Sequence, residues 1–176
     1  FHHTEILLHL CRSPAASSQI DLPGAVRAEK NYNWLIIGLQ RQAAEDFYFE
    51  ISGPGTYSFP PLDHRMVLEH ASVDLAAGFS RHSNEGLIDL DLVSFPLVLR
   101  SGKPGDRFRP LGLGGSKKIK NFFIDAKIPK NVRSRIPILC SGEHIIWIVG
   151  HRLDDRVKVT ANTSRLLRLR YVKVIK

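Results

Sequence analysis

The sequence has little of what a disulfide-linked, zinc-binding or membrane-spanning protein needs. Cysteine occurs twice, at Cys11 and Cys140, so neither a disulfide framework nor a cysteine-based zinc motif is indicated, and we expect a cytoplasmic protein. No uninterrupted apolar run approaches the ~20 residues that span a bilayer, so no membrane partner is expected. The only methionine is Met66, and we therefore expect a piece of a longer protein.

The chain also lacks the side-chain arrangements that carry out catalysis. The eight histidines are scattered and no H-E-x-x-H motif occurs. Asp154 and Asp155 are adjacent, so their carboxylates are expected to point apart, and Cys140 follows an apolar strand as a packed thiol would. The glycines before Lys117 match neither a P-loop nor a dinucleotide fingerprint. We therefore predict no catalytic residue, metal or cofactor in these 176 residues.

Charge is distributed unevenly along the chain. Residues 1–96 hold 6 Lys and Arg against 12 Asp and Glu, a balance of −6, whereas residues 97–176 hold 19 against 5, a balance of +14. A basic second half indicates a polyanionic partner. The cations fall on short strands and turns and not on one long amphipathic helix, which favours nucleic acid over a membrane surface.

Short alternating apolar segments separated by turn residues predict an α+β protein. We expect a short antiparallel β unit followed by a small mixed α/β C-terminal domain, with a truncated helix at the N-terminus. The predicted division is residues 1–19 as the end of an upstream helical region and a linker, 20–95 as a mainly β connecting domain, and 96–176 as the basic domain. A hairpin is predicted around residues 30–31, a turn at 53–55, and final strands at 157–159 and 165–175. The continuous apolar run at residues 145–149 predicts a strand buried on both faces.

The stretch from residue 100 to residue 137 combines a glycine loop with a predicted amphipathic helix. Ile119, Phe122, Phe123 and Ala126 recur at helical spacing, Ser116 is the predicted N-cap, and Pro129 is expected to end the helix. Lysines at a helix start oppose the helix dipole, which suggests that an external anion binds there. The structural alternative is that the lysines form a solvated helix face and the glycines only a turn.

Several residues of this stretch are predicted to contact nucleic acid. Glycine-loop amides suit phosphodiester oxygens, and arginine forks bind phosphates in a bidentate manner. Phe108 could stack on a base or ribose or belong to the core, and the neighbouring arginines could instead pair with Asp106 or Asp125. Phe122, Phe123 and Trp147 are predicted core residues. The predicted contacts are Arg107, Arg109, Lys117, Lys118, Lys120, Asn121, Lys127, Lys130, Arg133 and Arg135, with the backbone of Gly112, Gly114, Gly115 and Ser116.

The segment GDRFRPLGLGGSKKIKNFFIDAKIPKNVRSRIPIL, followed by IIWIVGHRLDDRV, resembles the C-terminal domain of bacterial tRNA isoleucine lysidine synthetases over roughly residues 95 to 175. The segment D-L-P-G at residues 21–24 resembles the preceding region of these enzymes more weakly. The matched positions are Gly105, Asp106, Arg107, Phe108, Pro110, Gly112, Lys117, Lys118, Phe122, Phe123, Asp125, Ile128, Pro129, Arg133, Pro137, Trp147, Gly150 and Arg152.

This resemblance implies a tRNA-binding part of an ATP-dependent ligase that joins lysine to the wobble cytidine of an isoleucine tRNA. It implies contact with the acceptor stem, with ATP and lysine bound in a separate catalytic domain whose S-G-G-x-D-S motif does not occur here. We therefore expect this piece alone to be inactive, to bind tRNA, and to be able to form a homodimer. An RNA-binding module of another RNA-processing or ribosome-associated protein, or a dimerisation domain, are the alternatives.

Overall fold

The structure, a computed structural model, describes residues 2–15, 17–39, 45–72 and 84–174. It divides into two compact units, Phe1–Ala44 and Glu45–Lys176. The predicted boundary near residue 95 does not separate units, because strands from both sides of that position pair within the same sheets. The charge balance along the sequence reflects surface side chains, whereas strand pairing and burial define the compact units. The two boundaries therefore need not coincide.

The first unit consists of one helix and a three-stranded antiparallel sheet. Helix α1 (His2–Arg12) confirms the predicted N-terminal helix. Strands β1 (Ser17–Leu22), β2 (Val26–Asn31) and β3 (Trp34–Leu39) pair in that order. The β2–β3 hairpin was predicted, but β1 begins inside the segment predicted as a linker, because its serines are compatible with a half-exposed strand.

The second unit is mainly antiparallel β-structure, which confirms the predicted α+β class. Its helices are α2 (Ile119–Asp125) and α3 (Lys130–Arg133). Its strands are β4 (Tyr48–Ile51), β5 (Gly55–Phe59), β6 (His64–Ala71), β7 (Glu85–Asp89), β8 (Leu97–Arg100), β9 (Arg107–Phe108), β10 (Lys117–Lys118), β11 (Ile138–Ser141), β12 (His144–Ile148), β13 (Arg152–Leu153) and β14 (Leu166–Lys173).

Two sheets of this unit share one core. The order β13-β12-β11-β8-β4 forms a five-stranded sheet and β5-β6-β14-β7 a four-stranded sheet. Their facing side chains form a single buried cluster that includes Leu99, Trp147, Leu167, Leu169 and Tyr171. Burial of this apolar surface is the main stabilising contribution to the unit. Trp147 is confirmed as a core residue.

A third layer covers the other side of the five-stranded sheet. Phe108, Phe122, Phe123 and Ile128 pack with residues of β11 and β12 in a second buried cluster. This explains why the run at residues 145–149 is buried throughout, as its continuous apolar character predicted. This layer belongs to the basic stretch between residues 100 and 137. Its packing on the five-stranded sheet therefore holds that stretch in place.

The chain bends at residues 53–54 between β4 and β5, which belong to different sheets. The prediction for residues 157–159 was wrong. The strand predicted at 157–159 is a 3₁₀ turn at Asp155–Val157, nucleated by the Asp154 carboxylate, which accepts from the Arg156 amide. The last strand ends at Lys173, and residue 175 of that prediction lies outside the described residues. None of the described helices is long and apolar enough to cross a membrane.

Candidate nucleic-acid interface

A two-stranded antiparallel hairpin presents the basic residues. Strand β9 pairs with β10 so that Arg107 lies opposite Lys118 and Phe108 opposite Lys117. Partners that lie directly opposite share one face of a sheet, with their Cβ atoms roughly 5 Å apart. Arg107 and Lys118 are both exposed, whereas Phe108 faces the core. The structure therefore brings two cations together on the outer face of the hairpin.

This arrangement corrects the predicted helix start. Lys117 and Lys118 lie on β10, and helix α2 begins only at Ile119, with Lys118 at the N-cap and no side-chain cap. Ser116 is not an N-cap: its hydroxyl accepts from Arg107 Nε at 3.2 Å and its carbonyl from Arg107 Nη2 at 3.2 Å. The Ile119 amide donates to the Asp106 carbonyl at 2.9 Å. The Ile119 amide is therefore not available to an external anion.

Adjacent lysines on a strand point to opposite sides, and only one remains available. Lys117 is half-buried and forms an ion pair with Asp125 at the end of α2. Lys118 points to the outer face and forms no ion pair within the described part of the chain. The predicted role of Lys117 in binding an external anion is thus weakened, because an internal carboxylate already neutralises it.

Arg109 continues the exposed face of β9. Burial alternates from Arg107 to Pro110, so Arg107 and Arg109 point outward while Phe108 and Pro110 point inward. The backbone of Arg109 is fixed, because its amide donates to Asp154 Oδ2 at 2.7 Å and its carbonyl accepts from the Asp155 amide at 2.7 Å. Arg109 is therefore held in place without its guanidinium being consumed by an ion pair.

The anchor is a carboxylate whose role the sequence did not reveal. Asp154 is completely buried and also accepts from the Arg156 amide and guanidinium at 2.8 to 3.0 Å. Its side chain fixes both the turn that follows it and the strand that carries Arg109. An Asp at the start of an Asx turn is the signal that could have identified it, since its carboxylate accepts an amide two residues later.

The glycine loop provides fewer backbone donors than predicted. The Leu113 amide donates to the Pro110 carbonyl at 2.9 Å, which closes a turn with Gly112 at a φ of +80°. The Gly112 amide points at Asp155 Oδ1 at 3.4 Å, so it is not available to a phosphate. The amides of Gly114 and Gly115 have no acceptor among the described residues and remain candidates.

An ion pair fixes the start of the hairpin. Arg100 donates two hydrogen bonds to Asp106, at 2.8 and 2.9 Å, and the Lys103 amide donates to the same carboxylate at 2.7 Å. Burial acts to raise the pKa of Asp106, but the hydrogen bonds from Arg100 and Lys103 outweigh it and hold that pKa below its usual value. Asp106 is thus unavailable to Arg107, contrary to the alternative in which these two residues pair.

The remaining predicted residues surround the hairpin unevenly. Lys120 and Asn121 are exposed in the first turn of α2. Lys130 is exposed on α3, whereas Arg133 of the same helix donates to the Ile128 carbonyl at 2.9 Å and is half-buried. Arg135 is exposed just after α3. Arg133 therefore supports the loop before α3 in addition to any contact with a ligand.

Lys127 lies in the turn that ends helix α2. Its backbone has a φ of +53°, its amide donates to the Ile124 carbonyl, and the Ile128 amide donates to the Phe123 carbonyl, both at 2.9 Å. This is the Schellman pattern of hydrogen bonds that ends a helix. The helix therefore ends three residues before Ile128, earlier than the prediction from Pro129, and Ala126 lies exposed beyond it.

Phe108 does not stack on nucleic acid. It is 1 % exposed and its ring meets that of Phe122 edge-to-face, with centroids 5.2 Å apart. The alternation of β9 turns it toward the core while its arginine neighbours face solvent. Phe122 and Phe123 are core residues as predicted.

Four carboxylates in the basic region are matched by four cations. The ion pairs are Arg100–Asp106, Lys117–Asp125, Arg156–Asp154 and Lys158–Asp155. None of the ion pairs among described residues includes Arg107, Arg109, Lys118, Lys120 or Lys130. The described residues also contain no cluster of three or more His, Cys, Asp or Glu suited to a metal ion. What this surface can do is bind an extended anion.

Comparison with known proteins shows which family the chain resembles. Residues 97–171 match the TilS substrate C-terminal domain. A tRNA(Ile)-lysidine synthase of Caldanaerobacter subterraneus subsp. tengcongensis is 36% identical over 98% of this chain and 37% of its own length, and one of Geobacter sulfurreducens is 32% identical over 94% and 35%. The chain thus spans little more than a third of the length of these two relatives.

A solved structure shows the same fold. The crystal structure of a TilS C-terminal domain superimposes with a TM-score of 0.62 at 27% identity, and the match covers 75% of this chain and all of that domain. Residues 97–171 therefore have the sequence and fold of a TilS C-terminal domain, and the chain as a whole is similar to part of tRNA(Ile)-lysidine synthases.

Proposed function

We propose that this chain is the part of a tRNA(Ile)-lysidine synthase that binds the acceptor stem of the substrate tRNA. The observation that carries the proposal is the Arg107–Lys118 pair on the outer face of the β9–β10 hairpin. Like charges directly opposite each other in a sheet are destabilising. A phosphate bound between or beside the two cations offsets that repulsion. RNA binding therefore stabilises the arrangement of the pair.

The chemistry of an RNA stem fits this surface. A-form RNA offers a wide, shallow minor groove with phosphates and 2′-hydroxyls on both sides, and proteins recognise it mainly by shape and backbone contacts. Arg109 can donate paired hydrogen bonds to a phosphate, and Arg107 can donate through the guanidinium N–H groups that Ser116 does not accept. Lys118, Lys120 and Lys130 extend the cationic surface. Asn121 and the Gly114 and Gly115 amides can donate to phosphate or ribose oxygens. Lys127, Arg133 and Arg135 belong to the same basic region at its edge.

The chemical step belongs elsewhere in the proposed enzyme. Joining lysine to cytidine requires ATP and lysine, and we assign both to the part of the synthase outside this chain. This chain alone is then inactive and contributes affinity and orientation for the tRNA. The RNA ligand and two cysteines without a disulfide are what we expect of a cytoplasmic protein.

The test compares three RNAs of graded size. We would measure binding of the 176-residue chain to an isoleucine tRNA transcript, to a minihelix of its acceptor arm and to its anticodon stem–loop. The proposal predicts similar affinity for the tRNA and the minihelix, and an affinity about tenfold lower for the anticodon stem–loop, which corresponds to a difference of about 1.4 kcal/mol.

A matched pair of variants connects this preference to the site. Arg107→Ala/Lys118→Ala should abolish the preference for the acceptor arm. Arg65→Ala/Lys173→Ala should retain it, because these cations are also exposed but lie on β6 and β14 of the four-stranded sheet. Equal binding of all three RNAs would reduce the surface to a non-specific cationic patch. Absence of RNA binding together with self-association would favour a dimerisation domain.

A further inference from the structure

Strand β3 exposes an apolar surface that the described residues of the first unit do not cover. On one face of β3, Leu35, Ile37 and Leu39 are 38 %, 52 % and 75 % exposed, and on the other face Trp34 and Ile36 are also exposed. β3 is also an edge strand, since the sheet order is β1-β2-β3. Soluble proteins usually protect such edges with charges, proline or a covering element, and β3 contains neither a charge nor a proline.

These side chains continue an apolar face that begins under α1. Ile20, Ala28 and Ile37 lie opposite one another across the three strands, as do Leu22, Val26 and Leu39. Helix α1 packs on β1 and β2 of this sheet, and Ala28 of β2 is completely buried. An α-helix is about 10 Å wide and strands are about 4.8 Å apart, so one helix covers about two strands. The third strand therefore needs a second covering element.

The core of this unit is too small to account for its fold. Among its described residues, Leu10 and Ala28 are the buried apolar side chains, and the unit has fewer than 45 residues. Domains of this size rarely bury enough surface to be stable without further support. The apolar surface of β3 is then part of a core that still lacks a covering element.

We propose that an amphipathic helix from the part of the synthase outside these 176 residues packs on β3 beside α1. The chain covers only 37% of the relative that matches 98% of it, so most of that protein's polypeptide is not contained in this chain. A helix next to α1 continues the existing helix layer and covers Leu35, Ile37 and Leu39 on the face that α1 already partly occupies. This proposal does not depend on RNA binding.

The experiment measures thiol labelling at position 39 by peptide mass spectrometry. Leu39→Cys is introduced in a Cys11→Ser background, because Cys11 is exposed, whereas Cys140 is buried. We expect rapid labelling in the 176-residue chain and strong protection in the full-length synthase. Leu92→Cys, at a 54 % exposed leucine of the second unit, is the control and should react rapidly in both.

Two results would overturn the proposal. Equal, rapid labelling of position 39 in both proteins would show that nothing covers β3 in the full-length synthase. Protection in the 176-residue chain that increases with protein concentration, together with dimers in sedimentation, would show that a second copy is the occupant. The labelling rate reports the accessibility of position 39 itself. The interpretation therefore does not depend on any change in the stability of the variants.

Discussion

At the scale of single residues, Lys117 and Lys118 are adjacent in the chain but make different contacts. Lys117 pairs with Asp125, whereas Lys118 lies beside Arg107 with no acidic partner among the described residues. Alternation along β10 is the cause, because neighbouring side chains of a strand point to opposite sides. Counting charges along the sequence therefore overestimates the cations available to a ligand, and pairing with internal carboxylates selects among them.

Asp106 gives a prediction for stability as a function of pH. The Arg100–Asp106 pair is mostly buried, with 13 % of each side chain exposed. Because its folded-state pKa lies below its ordinary value of 3.8, Asp106 contributes stability that is present above pH 3.8 and is lost as the pH falls through the folded-state pKa. Asp106→Asn should cost about 3 kcal/mol at pH 6, since it leaves Arg100 without its partner.

Urea unfolding between pH 6 and pH 2 would measure this effect. The gap in unfolding free energy between the wild type and Asp106→Asn should narrow toward the acid end, because the wild type alone loses this contribution there. A constant gap over the whole range would mean that the Asp106 carboxylate does not titrate as its hydrogen bonds require.

At the scale of elements, the turn that follows helix α2 places Lys127 in a backbone conformation that favours glycine. Lys127 adopts the left-handed conformation, which costs a non-glycine residue about 1 kcal/mol or more. Lys127→Gly should therefore be more stable than Lys127→Ala by about 1 kcal/mol, because both variants lose the lysine side chain and only glycine relieves the backbone.

Thermal or urea unfolding of the two variants isolates this backbone contribution. Equal stability of the glycine and alanine variants would mean that the end of α2 relaxes when the lysine is removed. Binding of tRNA by both variants also reports the contribution of the Lys127 side chain, because its charge is absent from each.

Element types were predictable where the local pattern was strong. Helix α1, the β2–β3 hairpin and the buried strand at residues 145–149 follow directly from apolar periodicity and turn residues. Helix α2 was predicted too long at both ends, since it begins at Ile119 and ends at Asp125, with the backbone left-handed at Lys127. The two-residue strands β9 and β10 carry no periodic signal, because their pairing depends on the turn between them and on Phe108 reaching the core.

The candidate site was therefore only partly predictable. The basic stretch and its residue types were evident, and Arg107, Arg109, Lys118 and Lys120 are exposed as the prediction required. Which of these cations lie together on one face was not evident. Their positions are set by the register of β9 on β10 and by Asp154, which is 45 residues away from the Arg109 amide that it binds. Long-range contacts of this kind have no local sequence signal.

At the scale of the whole molecule, charge and architecture follow different boundaries. The chain changes from a balance of −6 to +14 near residue 97, yet the second compact unit begins at Glu45. Its four-stranded sheet keeps Arg168 and Arg170 paired with Glu69 and Glu85, so part of the positive charge is used internally. In the layer built on β9, β10 and α2, by contrast, Arg107, Lys118 and Lys120 are exposed and take part in no ion pair among the described residues.

The most direct test of this account is the salt dependence of tRNA binding by the 176-residue chain. Each lost phosphate contact lowers the slope of log K against log salt concentration by about one unit. Arg107→Ala/Lys118→Ala should therefore weaken binding and reduce the slope by about two units, whereas Arg65→Ala/Lys173→Ala should leave it unchanged. An equal reduction in both double variants, or none in the first, would contradict a phosphate-binding role for the β9–β10 hairpin.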